Sequence, residues 1–570
     1  MRTTDKKICR IISHLLSWYG IKDIVVSPGS RNAPLIIAVS RAKDKSGNDL
    51  FNVHCVLDER AAAFFALGIA RKTEAPVALI CTSGSALLNY APALSEAYYS
   101  NIPLIAISAD RPQWRIDTCD QQTIRQPGAL SNIVKTWVDI PVDVNSPKME
   151  AYAQRNVCKA LAAAVESNPK GPVHINVQLD VPLNEETDDT QFSDSPKSVK
   201  VYPTTSVSVP TAFTRINSLT KILIVCGQMH PSPRLVCMLR QLSKDPRICI
   251  LTEAQSNLEE IRSCSVRTAL AEPFLESEIK SGIPIMPDMV FTLGNTFTAA
   301  MLQKVITEVR TVHVHVGYTN SYPDMFDCLE EIIPVGYEEF ICMLNDYLEM
   351  STSECTPYSE LWKTLENRSL QSLQKYVVKD GNEFSLLFAV FEILKRYGAD
   401  IQFSNGSAIR YAQMFFYGKD QLVDANRGVN GIEGSTSTAI GACSVTPEKI
   451  TALITGDMSA AYDISALSLI HRKLKFKMFV LDNAGGGIFR SIAPTRFLGE
   501  LERYFAFAPK MPLEKLAQAY GLRYFEFNSL EQYDRLAELI ANDQPVIIDV
   551  KLNLVESAYN FRCFTKGILK

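Results

Sequence analysis

The chain is short of histidine, of paired cysteines, of long apolar runs and of surplus positive charge, and each shortage removes a class of function. There are seven histidines in 570 residues. Fourteen cysteines are scattered from Cys9 to Cys563, and no two stand in a CxxC spacing. That pattern argues against a zinc cluster and against a disulfide framework. The thiols are expected to be small buried hydrophobes in a reducing compartment. No apolar run approaches the roughly 20 residues that cross a bilayer. Residues 1–7 are polar and lead into an amphipathic stretch rather than a signal-peptide core. Lys and Arg total 58 against 62 Asp and Glu, a net charge of −4, so no basic field exists to hold nucleic acid. No strand opens into GxGxxG, and Cys226-Gly227-Gln228-Met229 is a poor substitute, which disfavours a dinucleotide-binding dehydrogenase. A cytoplasmic protein with neither nucleic acid nor a membrane as partner is the expectation.

The composition is that of an ordinary globular protein, 46% hydrophobic and 21% charged. At roughly 150 residues per domain the length suggests three or four domains. Short β-branched runs alternate with longer helical patterns, the signature of parallel sheets covered by helices. In the first third, strands are expected at 24–27, 53–57, 77–82, 104–108 and 173–177, with helices at 59–71 and 86–100. Acidic, polar and proline-bearing sequence follows and reads as a linker. A second block has strands at 221–226, 248–252, 289–293 and 311–316, then a long helical region at 337–376. The third has strands at 401–404, 421–424, 450–455, 476–481, 523–527 and 546–550. The expected division is 1–185, a linker at 186–205, 206–355 and 356–570, three doubly wound parallel-sheet α/β domains. His313 and His315 stand two apart on one strand and face one side of a sheet, where a structural role is favoured over metal binding.

The segment richest in chemistry is Gly456-Asp457-Met458, followed one strand later by Asp482-Asn483-Ala484-Gly485. Asp457 and Asn483 both emerge where a strand ends, and open parallel sheets bind ligands beyond those ends. A carboxylate, an amide oxygen and a glycine carbonyl are hard donors suited to Mg²⁺ that also holds diphosphate oxygens. The glycines permit close approach of backbone to phosphate. A second element is the strand that runs into Asp58-Glu59-Arg60 and the helix AAAFFALGIA, where Glu59 alone could simply complement the helix dipole.

The Gly-Asp and Asn pair resembles the fingerprint of thiamine-diphosphate (ThDP) enzymes, with Met458 in place of a third glycine and Asp482 in place of a first asparagine. The wider pattern is similar to one family. Ser27-Pro-Gly-Ser-Arg-Asn-Ala-Pro34, Asp58-Glu59-Arg60, Ala109-Asp-Arg-Pro112 and Gln122-Thr-Ile-Arg-Gln-Pro-Gly128 occur in its order. Arg427-Gly-Val-Asn-Gly-Ile-Glu-Gly434 and Gly485-Gly-Gly-Ile-Phe489 follow. The family is that of the 2-succinyl-5-enolpyruvyl-6-hydroxy-3-cyclohexene-1-carboxylate synthases of menaquinone biosynthesis. The resemblance implies decarboxylation of 2-oxoglutarate and addition of the succinyl-semialdehyde carbanion to isochorismate, a transferase reaction. It implies ThDP with Mg²⁺ or Mn²⁺, held by Asp457, Asn483 and the Gly485 carbonyl. Asn405, Gly406, Ile432, Gly456, Met458 and Ser459 would complete the cofactor site, with Ile432 as an apolar prop under the thiazolium. Glu59 would bond the aminopyrimidine nitrogen and so promote loss of the C2 proton. It would come from a partner subunit, so a homodimer or homotetramer is implied. Ser30, Arg31, Arg111 and Gln122 would line the site from the N-terminal domain. Arg410 and Arg427 would grip carboxylates, as suits two dicarboxylate substrates. Ile488 and Phe489 would form a wall that excludes water.

Two positions depart from the family pattern. Ala300, in Leu293-Gly-Asn-Thr-Phe-Thr-Ala-Ala-Met301, stands where the family has a lysine, with Lys304 one turn on. Asn405-Gly406-Ser407 replaces Asn-Ser, shifting a hydroxyl by one residue. The alternatives are another ThDP-dependent 2-oxo-acid decarboxylase or carboligase, and a non-catalytic member of the fold.

Overall fold

The computed structural model describes residues 2–188, 210–348, 357–379, 381–491, 493–508 and 510–567. Three six-stranded sheets carry the fold, all parallel and flanked by helices. The chain divides into two compact units. One comprises residues 1–204, 436–446 and 463–470; the other comprises 205–435, 447–462 and 471–570.

The first unit holds strands β1 (Asp23–Val26), β2 (Asn52–Cys55), β3 (Val77–Cys81), β4 (Leu104–Asp110), β5 (Trp137–Ile140) and β6 (Val173–Gln178). Their spatial order is β2-β1-β3-β4-β6-β5. Its core packs the amphipathic helix Lys7–Trp18 and the helix Pro147–Val165 onto the sheet. The start of the expected 186–205 linker, Glu186–Thr187, pairs antiparallel with Thr3–Thr4, while 189–205 lies outside the described residues.

The second unit contains two sheets. The central one has β7 (Ile222–Cys226), β8 (Ile248–Thr252), β9 (Val266–Arg267), β10 (Met289–Leu293), β11 (Val312–Val316) and β12 (Leu329–Ile333), in the order β9-β8-β7-β10-β11-β12. Ile222, Ile224 and Cys226 face one apolar cluster and Leu223 and Val225 another, so both faces are covered and the strand reads as a continuous apolar run. The other has β13 (Asp400–Phe403), β14 (Val423–Ala425), β15 (Thr451–Gly456), β16 (Phe476–Asp482), β17 (Arg523–Phe527) and β18 (Val546–Lys551). Its order, β14-β13-β15-β16-β18-β17, repeats that of the first unit strand for strand.

Some expectations need correction. The 337–376 region is two helices, Tyr337–Tyr347 and Tyr358–Val377, with 349–356 outside the described residues. Not every cysteine is buried: Cys55, Cys119, Cys237 and Cys342 are exposed, and Cys55 ends an edge strand. His313 and His315 both bond the Thr292 hydroxyl, at 2.9 and 3.1 Å, and burial pushes each imidazole down to about 4. Among the described residues no helix is long and apolar enough to cross a membrane.

Candidate active site

In the C-terminal sheet, connections leave β13 and β15 toward opposite edges, which opens a crevice beyond their carboxyl ends. The turn Ser404–Gly406 follows β13, and Asp457 begins the helix that follows β15. The Gly456 N–H donates to Ser404 Oγ at 3.2 Å, tying the two strand ends together. Gly406 caps the helix Ser407–Ala412 with φ +92°, a conformation that L side chains rarely adopt. The glycine that departs from the family pattern is therefore required by its own backbone.

Asn405 is the hub of this crevice. Its Nδ2 donates to the carbonyls of Asn426 and Gly431, both at 2.7 Å, and its Oδ1 accepts from Arg427 Nη1 at 2.9 Å. One buried amide thus fixes the Arg427–Gly434 loop that presents Ile432. The Ser459 hydroxyl donates to the Ile432 carbonyl and holds the same loop from the helix Asp457–Tyr462. Arg427 also reaches the Phe297 carbonyl, and its own carbonyl accepts from Thr296 Oγ1, so this arginine braces the crevice as well as charging it. Arg410 stands within the helix Ser407–Ala412, one turn past the strand end. Burial lowers the pKa of its guanidinium, an effect that neighbouring Glu272 opposes. Glu272 is itself pushed up to about 7 by burial. Sequence reasoning missed it, because nothing near position 272 signals a partner 138 residues away.

Asp457 and the 482–489 loop form a latch. Asp457 Oδ2 accepts from the Gly485 N–H at 2.7 Å and Oδ1 from the Met458 N–H at 2.7 Å. Burial raises this carboxyl to about 6. The Gly485 carbonyl accepts from the Gly487 N–H at 2.9 Å. Asn483 Oδ1 is buried and has no hydrogen-bond partner, a state whose desolvation ordinarily costs about 1–3 kcal/mol. Asp482 pairs with Lys551 at 2.5 Å, which accounts for a carboxylate at the position of the family's first asparagine. A Cβ at Gly485 or Gly486 would strike the carbonyls of Ala506 and Phe505, so only glycine lets this loop lie beneath 505–507. Ile488 and Phe489 open the next helical turn, with Phe489 edge-on to Phe505 at 5.6 Å.

The remaining residues, Ala300 and Lys304 of the second unit apart, lie in the first unit. Asp58 caps the helix Glu59–Thr73, accepting from the Arg60 and Ala61 N–H groups at 3.0 and 3.2 Å, so Glu59 sits half-buried in the first turn. Ser465 Oγ donates to the other Asp58 oxygen at 2.7 Å. In the turn after β1, Asn32 bridges the Gly29 N–H and the Ser27 carbonyl, setting Ser30 outward and Arg31 inward. Arg31 donates to the Leu179 carbonyl at 2.9 Å. Burial and then the nearby charge of Arg111 depress its pKa, so two guanidiniums have been brought together. Arg111 also pairs with Asp120 at 3.4 Å. Gln122 is exposed, with φ +52°, and its backbone runs against Gly84. Gln126 of the same motif had no assigned role. It is fully buried, takes the Gly84 N–H at 2.7 Å and donates to Ser108, Ala109 and Asn176, pinning the motif to the sheet. Ala300 begins a helix on an exposed turn, and Lys304 pairs with Glu276 and Glu308.

Comparison with known proteins defines the class. Residues 6–129 match the thiamine pyrophosphate enzyme N-terminal TPP binding domain, and 405–550 match the corresponding C-terminal TPP binding domain. The chain is a thiamine-diphosphate enzyme. It is 35% identical to a 2-succinyl-5-enolpyruvyl-6-hydroxy-3-cyclohexene-1-carboxylate synthase of Flavobacterium johnsoniae over 95% of each chain. It is 32% identical to the synthase of that name from Porphyromonas gingivalis, over 97% of this chain and 96% of the other. The chain belongs to the 2-succinyl-5-enolpyruvyl-6-hydroxy-3-cyclohexene-1-carboxylate synthase family, transferases of menaquinone biosynthesis.

Proposed function

We propose that the chain decarboxylates 2-oxoglutarate and joins the resulting four-carbon unit to isochorismate, as a cytoplasmic homodimer or homotetramer using ThDP with Mg²⁺ or Mn²⁺. The observation that carries the metal reading is the orphaned Asn483 Oδ1 beside the Asp457–Gly485 latch. An amide oxygen, a carboxylate and a backbone carbonyl suit a hard cation that also holds phosphate oxygens. Among the described residues no three His, Cys, Asp or Glu side chains cluster as a metal site, and a mixed set of this kind is of another type. Gly456 has open space where a Cβ would stand, which fits a diphosphate lying against its backbone.

When bound, ThDP supplies a carbon nucleophile and an electron sink for decarboxylation. Glu59 holds the proton at the aminopyrimidine nitrogen. Ile432 would pack against the bound cofactor, and Asn405 fixes the loop that carries this isoleucine. Arg410 and Arg427 receive substrate carboxylate from one domain, and Arg31 and Arg111 with Ser30 and Gln122 from the other. Ile488 and Phe489 keep water away from the reacting carbon, where a low dielectric favours loss of a carboxylate.

The test is turnover of purified protein with ThDP, Mg²⁺ and 2-oxoglutarate, with and without isochorismate. Adduct formation only with both substrates supports the reading. Decarboxylation without adduct would reassign the acceptor, and binding of ThDP without any turnover would refute the catalytic role.

A further inference from the structure

A cavity of about 570 Å³ opens between the turns that follow Phe489 and the helix Leu554–Thr565. Arg490, Arg496 and Arg562 line it together with Phe497, Leu501 and Tyr559. None of its lining residues belongs to the cofactor or substrate assignment above. Among the described residues, the one carboxylate paired with any of the three arginines is Glu502, on Arg490. Three guanidiniums therefore share one negative charge. The Nε atoms of Arg490 and Arg496 are buried without a hydrogen-bond partner. Arg496 lies over the Phe497 ring at 4.3 Å and Arg562 over the Tyr559 ring at 5.5 Å, so aromatic faces hold the cations in the cavity wall.

The volume falls in the range of small-molecule sites, about 300–1,000 Å³, and exceeds what a single inorganic anion fills. Charge surplus with unmet donors asks for an anion, and the rings and Leu501 ask for an apolar body. We infer that this cavity binds a cyclic or aromatic carboxylate through Arg496 and Arg562, at a site separate from the one that carries the reaction. The proposal goes beyond the assigned activity and does not rest on it.

Isophthalate is a suitable probe, titrated calorimetrically into the full chain loaded with ThDP and Mg²⁺ at low ionic strength. The double variant Arg496→Gln/Arg562→Gln should weaken binding at least about tenfold. Ala558→Trp, which fills the cavity at unchanged charge, should do the same. Arg410→Gln should leave the affinity within about twofold, because it alters only the reaction site. Each variant is compared with wild type by thermal melting, and the arginine pair decides the matter even where the tryptophan does not fold. No binding by wild type at about 10 mM isophthalate would overturn the proposal. So would loss in Arg410→Gln with retention in the double variant, or competition by inorganic phosphate as effective as by isophthalate.

Discussion

Glutamate and glutamine differ at position 59 by one ionisable oxygen, so Glu59→Gln tests proton handling with little change of shape. It should lower kcat by about 10²–10⁴ and weaken ThDP binding far less. Near-normal kcat would sink the assigned role. Asp457→Ala removes the carboxylate of the latch, and ThDP affinity should then no longer respond to Mg²⁺. Equal wild-type affinity with and without Mg²⁺ would refute the metal assignment. These positions stood out in the sequence because each opens a helix that follows a strand within a short motif. Glu272, Asn32 and Gln126 did not: their partners are set by tertiary contact, which local pattern does not encode. A third prediction concerns stability. Glu383 is 1% exposed, and burial pushes its carboxyl up to about 7 from 4.5. Between those values the folded chain holds a proton that the unfolded chain has released, so this group's contribution is intact below about 4.5 and lost as pH rises through 7. Glu383→Gln should make the protein more stable than wild type at pH 8, by on the order of 1–3 kcal/mol, with the gain vanishing near pH 4.5. Urea midpoints at the two pH values measure it, and an unchanged difference would show the carboxyl is not protonated in the fold.

The helix Glu59–Thr73 is positioned by backbone proximity as much as by its cap. A Cβ on Gly68 would lie 2.0 Å from the Thr438 carbonyl oxygen, and one on Gly441 would lie 2.0 Å from that of Phe65. The helices Glu59–Thr73 and Ser435–Ser444 therefore touch backbone to backbone at both glycines. Asp463 anchors the first turn of the second helix, accepting the Ser437 N–H and hydroxyl at 2.7 and 3.0 Å. Gly68→Ala and Gly441→Ala should each destabilise by about 1–3 kcal/mol and lower kcat by displacing Glu59. Because one outward shift of the helices relieves both clashes, the double variant should lose less than the sum. Strict additivity in thermal or urea unfolding would show that the two glycines do not share a contact. Every central, buried strand was legible, and so were the more exposed edge strands β2 and β17. Within the three six-stranded sheets the strands that periodicity missed, β5, β9 and β12, all lie at sheet edges, and the two-residue ladder of Thr3–Thr4 with Glu186–Thr187 was missed as well. Trp137–Ile140 and Leu329–Ile333 are part-exposed and carry acidic residues, and Val266–Arg267 is two residues long, so none shows the continuous apolar run of a central strand.

At the scale of the molecule, the alternation of strand and helix announced three parallel sheets. The identical strand order of the first and third is a property of pairing, and no sequence repeat betrayed it. Nor did the sequence reveal that residues 436–446 and 463–470, late in the chain, belong to the first compact unit. The proposed dimer makes a sharper demand. If Glu59 of one subunit serves the Asp457 site of its partner, then Glu59→Gln and Asp457→Ala lesions can be sorted onto one site. In a heterodimer of the two variants, one site carries both lesions and the other carries neither. Random reassortment of equal amounts makes about half of the dimers mixed, each with one intact site of two, so about a quarter of wild-type activity should return. Each variant alone should stay inactive. Were Glu59 and Asp457 of the same chain to serve one site, every site in the mixture would carry one lesion and no activity would return. Mixing under conditions that exchange subunits, followed by the two-substrate assay, decides between the two arrangements.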